Sequence, residues 1–222
     1  INNLKQYING EMMYVNNVLR GLESTDIKEL KKHNKHFNPP PSKTPNDLDK
    51  DEKDFIKDMD ILTQTHTIAQ DKLYRAVDAT AIFSRIENTM QFDDLLNLIV
   101  YNSDPLHKGE FFLKHSKMGE TITDKGFLST TKNKDIALDW GDFSGSDKNI
   151  VIEFSIPKGL KGIDIDKYAQ KHKDIKDLME YGGTQEEVIL PRNLSYIPKE
   201  ISHERGVIVV KADIVTTPEP KS

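Results

Sequence analysis

Leu4, Ile8, Met12, Val15, Val18, Leu19 and Leu22 recur at spacings of three and four. That pattern marks the apolar face of one helix, or of two short helices broken near Gly10. The segment from Asn38 to Asn46 holds four of the ten prolines and reads as an exposed connector. A further helix is predicted from Leu48 to about Gln64, capped by Asp47, with Phe55, Met59 and Leu62 on its inner side. Beyond it the period changes. Leu73 to Val77, Phe111 to Leu113 and Gly126 to Thr131 read as short strands, with an apolar helix over Phe92 to Val100. A helix from Asp135 to Trp140 follows, Trp140 being core material. Strands are then expected over Asn149 to Pro157, Glu187 to Leu190 and Gly206 to Val215. Helices first and strands later define an α+β domain rather than βαβ repeats.

Composition narrows this picture. The 222 residues are 36% hydrophobic and 30% charged, with nine Phe, seven Tyr and one Trp. That is enough core for a single domain spanning 1–222, divided into a helical subregion (1–65), a mixed core (66–216) and a tail (217–222). A net charge of −5 argues against nucleic acid as the main ligand. Without cysteine there is no disulfide, thiolate nucleophile or cysteine-based metal site. No stretch approaches the ~20 apolar residues needed to cross a bilayer, so no membrane insertion by this chain is expected. The start at Ile1, with no basic segment leading into an apolar one, reads as a mature or excised piece without a signal peptide. The histidines share no ligand spacing, and Asp47, Asp49, Asp51, Glu52 and Asp54 suit a charged helix start better than a calcium loop, so no metal is expected.

Three short elements bear chemistry. Arginine is scarce, five against 26 lysines, and Arg75 lies inside the apolar run LYRAV. A guanidinium there needs an anion: either a structural carboxylate partner or a bound phosphate or carboxylate. In the run GFLSTT at 126–131, extended backbone puts Ser129 and Thr131 on one face and Thr130 on the other; taken alone, such a run is simply good strand material. In GGTQEEVILPR at 182–192, Gln185 and Glu187 share a face and Glu186 points away, towards water. Glu187 stands where an apolar strand begins, a place for an ionised carboxylate beside hydroxyl donors.

In this order the three elements resemble the Arg-Ser-Glu class of bacterial mono-ADP-ribosyltransferase toxins, which includes Rho-modifying exoenzymes and the enzymatic components of binary toxins. YVNNVLRG at 14–21 and IEFSIPKGLKGIDI at 152–165 extend the resemblance over most of the chain. It implies an ADP-ribosyltransferase-like fold, with two packed, mostly antiparallel sheets beside an N-terminal helical subregion and NAD in the cleft between the sheets. By this resemblance Arg75 holds the NAD diphosphate, and Asn16 and Arg20 approach the phosphate and adenosine side. Ser129 hydrogen-bonds the catalytic carboxylate, Thr131 supports the same wall, Glu187 is the catalytic glutamate and Gln185 addresses the acceptor. Asn133 or Lys148 is a looser cofactor contact, and Tyr181 is the turn aromatic on the acceptor side.

The implied reaction needs few groups. Nicotinamide leaves NAD neutral and requires no general acid, so one carboxylate opposing the positive charge left on the ribose suffices where many glycosidases need two. Gln185 resembles the position that accompanies Asn or Gln modification on Rho-type GTPases, since an amide offers both a donor and an acceptor to another amide. Glu186 works against that inference, because a one-residue rearrangement would bring a second carboxylate to the site. Two departures fall in the acceptor-choosing part: the segment between Ile165 and Gly182 is long and helical in pattern, and Tyr181 stands six positions before Glu187 rather than five. Alternatives are an arginine-specific transferase, an NAD glycohydrolase, or a catalytically silent domain that docks a two-component toxin's partner. The resemblance also implies a monomer, secreted or delivered into a host cytosol, acting on a small GTPase or other host protein.

Overall fold

The structure, a computed structural model, describes residues 2–9, 13–21, 43–77, 81–83, 97, 116–142, 150–182 and 186–215. The first apolar face belongs to two helices, α1 (Asn2–Ile8) and α2 (Met13–Arg20). Gly21, at φ +71°, ends α2 in the left-handed conformation that glycine adopts without a Cβ clash. A 3-10 turn over Pro45–Asp47 leads to α3 (Lys50–Thr63), which starts two residues later than expected. Its cap is Asp49, whose side chain accepts from the Glu52 N–H while Glu52 reaches back to the Asp49 N–H. Asp47 instead closes the 3-10 turn by accepting from Thr44. Phe55 and Met59 are fully buried on the predicted inner face.

Tyr7, Phe55 and Phe127 bind these helices to the sheet. Tyr7 stacks on Phe55 with ring centres 6.4 Å apart, and both meet Phe127 edge to face at 6.3 and 6.5 Å. Such pairs add about 0.5–1.5 kcal/mol beyond the area they bury.

The strands are β1 (His66–Thr67), β2 (Lys72–Val77), β3 (Ile122–Asp124), β4 (Leu128–Thr131), β5 (Ile150–Ser155), β6 (Lys161–Asp164), β7 (Glu187–Leu190), β8 (Leu194–Glu204) and β9 (Val207–Val215). Helix α4 (Lys134–Asp142) follows β4, and α5 (Ile165–Ala169) and α6 (Lys173–Gly182) separate β6 from β7. The helical pattern after Ile165 is therefore two helices. Sequence pattern missed β8, the longest strand: Pro198 within a polar alternation argues against a strand, and the ladder accepts it only through a register shift between Pro198 and Glu200. The predicted elements at Phe92 to Val100 and Phe111 to Leu113 lie outside the described residues.

All the strands join one sheet in the order β1-β6-β7-β4-β2-β5-β9-β8-β3. It is mostly antiparallel, with β5 and β9 parallel. The two sheets expected from the sequence are halves of this one, and Tyr74↔Thr131 is the backbone pair that joins them. The halves close on a common core: Leu128, Val188 and Leu190 from one pack with Ile152, Phe154, Ile208 and Val210 from the other. Parity sends Phe127 and Ile189 the opposite way, into a second core under α1, α2 and α3. A third holds Ala137 and Leu138 of α4 against Val151, Val207 and Val209, with Trp140 partly buried against it.

Candidate active site

The site lies at the junction of β2, β4 and β7. Register places Thr131 opposite Glu187 and Ser129 opposite Ile189. The Ser129 hydroxyl meets the Tyr7 hydroxyl at 2.8 Å and lies near enough to Glu187 to favour its ionised form. Tyr7 is 3% exposed and accepts from Asn16 Nδ2 at 3.3 Å. A hydrogen-bonded chain, Asn16–Tyr7–Ser129, thus runs from the helices to the strand beside Glu187.

Burial raises the Glu187 pKa above the ordinary glutamate value, and the Ser129 hydrogen bond and the Arg75 charge oppose that rise. Burial likewise raises the Tyr7 pKa, against the Ser129 hydrogen bond and the Arg75 charge, so its hydroxyl stays a neutral donor and acceptor.

Arg75 is half-buried on β2 and donates from Nη1 to the Ser129 carbonyl at 2.6 Å. Among the described residues no carboxylate lies within ion-pair distance of it. Burial lowers its pKa first, and the nearby Arg20 guanidinium adds to that, yet arginine remains cationic at any working pH. A cation partnered mainly by a carbonyl keeps donors for an incoming anion. Tyr196, whose pKa burial and Asp124 push up to about 12, stays neutral beside this pair of guanidiniums.

The structural arginine–carboxylate pair that sequence reasoning weighed for Arg75 is made by Arg20. Arg20 Nε donates to Asp124 Oδ1 at 2.7 Å and Nη2 to the Phe127 carbonyl at 2.8 Å. A Cβ on Gly126 would stand 2.8 Å from Arg20 Cζ, so glycine is required for this approach. Asn16, 1% exposed, accepts from the Phe127 N–H at 2.9 Å and donates to the Phe127 carbonyl at 3.4 Å. Both predicted cofactor residues therefore brace the entry to β4. Thr131 is fully buried, and its hydroxyl accepts from the Asn133 N–H at 3.1 Å.

The residue that leads into β7 is held by hydrogen bonds. Glu186 is left-handed at φ 48°, its carbonyl accepts from the Lys132 N–H at 3.0 Å, and its carboxylate accepts from Asn133 Nδ2 at 3.1 Å. It is half-buried on Asn133 rather than free in water, and Asn133 is thereby occupied. Tyr181 is within α6, while Gln185 and Lys148 lie outside the described residues. Sequence reasoning missed Tyr7 and Asp124. The apolar spacing of the first helix passed over position 7, and nothing local to Asp124 pointed to an arginine 104 positions away. No group of three or more metal-ligating side chains occurs among the described residues.

The junction thus gathers a half-buried acid and a guanidinium without a carboxylate partner among the described residues. The chain belongs to the ADP-ribosyltransferase exoenzyme family, whose pattern matches residues 1–216. Its fold is similar to that of the C3 exoenzyme of Clostridium limosum, at 17% identity over 97% of this chain and 84% of that one, with a TM-score of 0.53. It is also similar to C3stau2 from S. aureus, solved with NAD, at 19% identity over 78% of this chain and 74% of that one (TM-score 0.54). BECa, the ADP-ribosylating toxin of a C. perfringens binary enterotoxin solved with NADH, matches at 14% identity over 96% of this chain and 42% of that one (TM-score 0.57). No curated protein sequence matches the chain.

Proposed function

We propose that this chain transfers ADP-ribose from NAD to a side chain of a target protein and releases nicotinamide. The observation that carries the reading is the pairing of a half-buried Glu187, on the strand paired with that of Ser129, with an Arg75 that has no carboxylate partner among the described residues. Family membership and the NAD and NADH complexes of similar folds support it. In this reading Arg75 grips the diphosphate. Ser129, held by Tyr7, aims the Glu187 carboxylate at the ribose, where it opposes the positive charge that develops as neutral nicotinamide departs. The restrained turn at Glu186 keeps a second carboxylate turned towards Asn133, and the resemblance assigns the acceptor side to Gln185.

The acceptor is accordingly an Asn or Gln side chain, and a Rho-type GTPase fits that chemistry. Delivery to a host cytosol follows from the same kinship. The test is incubation of the purified chain with labelled NAD, with and without host lysate, followed by mass spectrometry of labelled proteins. The proposal expects label on protein to exceed hydrolysis and to sit on an amide side chain. Label on arginine would defeat the acceptor assignment, and hydrolysis alone would favour the glycohydrolase alternative.

A further inference from the structure

Lys132, the residue that follows β4, touches both ends of the excursion that leaves β6, passes through α5 and α6 and returns as β7. Its N–H donates to the Glu186 carbonyl at 3.0 Å, one residue before β7 begins. Its ammonium donates to Asp164 Oδ1 at 3.0 Å and to Asp166 Oδ2 at 2.5 Å, at the end of β6 and in the first turn of α5. One residue therefore clasps the excursion at its base.

The clasp is largely out of water. The Lys132 side chain is 17% exposed, Asp164 7% and Asp166 29%. Burial alone would lower the Lys132 pKa, but its hydrogen bonds to Asp166 and Asp164 reverse that and hold it above the usual lysine value, so the ammonium keeps its charge at any working pH. Such a group is screened less than a surface pair and fixes its members more firmly.

The register shows what the clasp crosses. Strands β6, β7 and β4 are neighbours in that order, so β6 and β4 stand two strand spacings apart, about 10 Å. Asp164 pairs with Val188, and Val188 pairs with Thr130. Paired residues share a face of a sheet and successive residues alternate, which places Asp164, Val188 and Thr130 on one face and Glu187 on the other. Lys132 thus ties β4 to the end of β6 across the start of β7, from the face behind the acid. Burial, Ser129 and Arg75 set the Glu187 pKa, so the lysine acts on the position of that side chain rather than on its charge.

We propose that Lys132 is a positioning residue for Glu187: by joining three strands at the start of β7 and holding the Glu186 carbonyl, it sets where the carboxylate stands relative to Ser129 and Arg75. The inference rests on the transferase reading of the site.

Nicotinamide release by the full chain tests it. Lys132→Met keeps the length and loses the charge; kcat should fall about tenfold with KM for NAD unchanged within about twofold, since a shift of about 1 Å at a reacting group is enough for such a loss. In a Glu187→Gln background the same change should lower the residual rate less than about twofold, because no carboxylate is left to place. Asp166→Asn removes one arm of the clasp at its most exposed member. It should lower kcat about threefold, again only where Glu187 is present, and it carries the test should Lys132→Met fail to fold. Lys132→Arg, which keeps the charge, should stay within about threefold of the unaltered chain.

Equal losses in the two backgrounds would make the effect one of folding and overturn the proposal. An unchanged kcat in Asp166→Asn and Lys132→Met would do the same. A chain that releases no nicotinamide at all would defeat the transferase reading instead, and hydrogen exchange then decides the clasp by itself. Exchange at Glu187 and Val188 should be faster in Lys132→Met than in the unaltered chain, and equal rates would overturn the clasp.

Discussion

Arg75 donates to the main-chain carbonyl of Ser129 at 2.6 Å, across 54 positions of sequence. The hydroxyl of the same serine favours the ionised form of Glu187, so one residue sits between the anion-seeking cation and the acid. Arg75→Lys keeps the charge but loses the planar fork. We expect KM for NAD to rise about tenfold or more with a smaller fall in kcat, the pattern of lost ground-state binding. Steady-state nicotinamide release at varied NAD checks it.

Glu187→Gln preserves shape and removes the charge. Nicotinamide release should fall on the order of 10²- to 10³-fold, the scale of other preorganised electrostatic groups. Circular dichroism should be unchanged, because the half-buried carboxylate carries a raised pKa and its neutralisation costs the fold little.

The pH dependence follows from that direction. A carboxyl whose folded pKa exceeds its unfolded one binds its proton more readily in the native state. Stability therefore falls as pH rises from the unfolded to the folded value, while activity, which needs the ionised form, rises through the folded value. The acid limb of nicotinamide release should lie above the ordinary glutamate range. Ser129→Ala removes a bond to the ionised form and should move that limb to still higher pH. A pH–rate profile of both proteins decides the matter: an unmoved limb would mean that another group titrates.

Tyr7→Phe keeps the aromatic cluster and deletes one hydroxyl. Ser129 loses a partner at 2.8 Å and Asn16 one at 3.3 Å. We expect a stability loss of about 1 kcal/mol and a several-fold lower kcat, because the serine is no longer held towards Glu187. Thermal unfolding and single-turnover kinetics separate the two effects.

Arg20 and Asp124 should behave as a structural unit. Arg20→Ala leaves Asp124 without its ion partner and strips one donor from the Phe127 carbonyl, at a cost of about 1–3 kcal/mol. Combining it with Asp124→Ala should cost less than the sum of the two single changes. A double-mutant cycle by denaturant unfolding measures that coupling.

The chemistry of the site was more legible than its scaffolding. Arg75, Ser129 and Glu187 stand in short segments of distinctive composition, and the strand register brings those segments together. The supports were hidden because they act at a distance: Tyr7 reaches Ser129 over 122 positions and Asn16 reaches Phe127 over 111. Helical spacing could show that position 16 faces inward, but it could not show that an amide there replaces ladder partners for Phe127. The same limit explains the Asp47 cap: two adjacent acidic starts compete, and Glu52 three residues after Asp49 settles the choice. Strand β8 was lost because its proline obeyed a local rule that a bulge suspends.

The lone rung Tyr74↔Thr131 has a mechanical corollary. Arg75 rides on one side of this seam, and Ser129 and Glu187 ride on the other. Spacing between the proposed gripping and cleaving groups is consequently sensitive to this one ladder pair and the guanidinium strut beside it, so a change that loosens the seam would detune the proposed reaction and strain the core that both halves share.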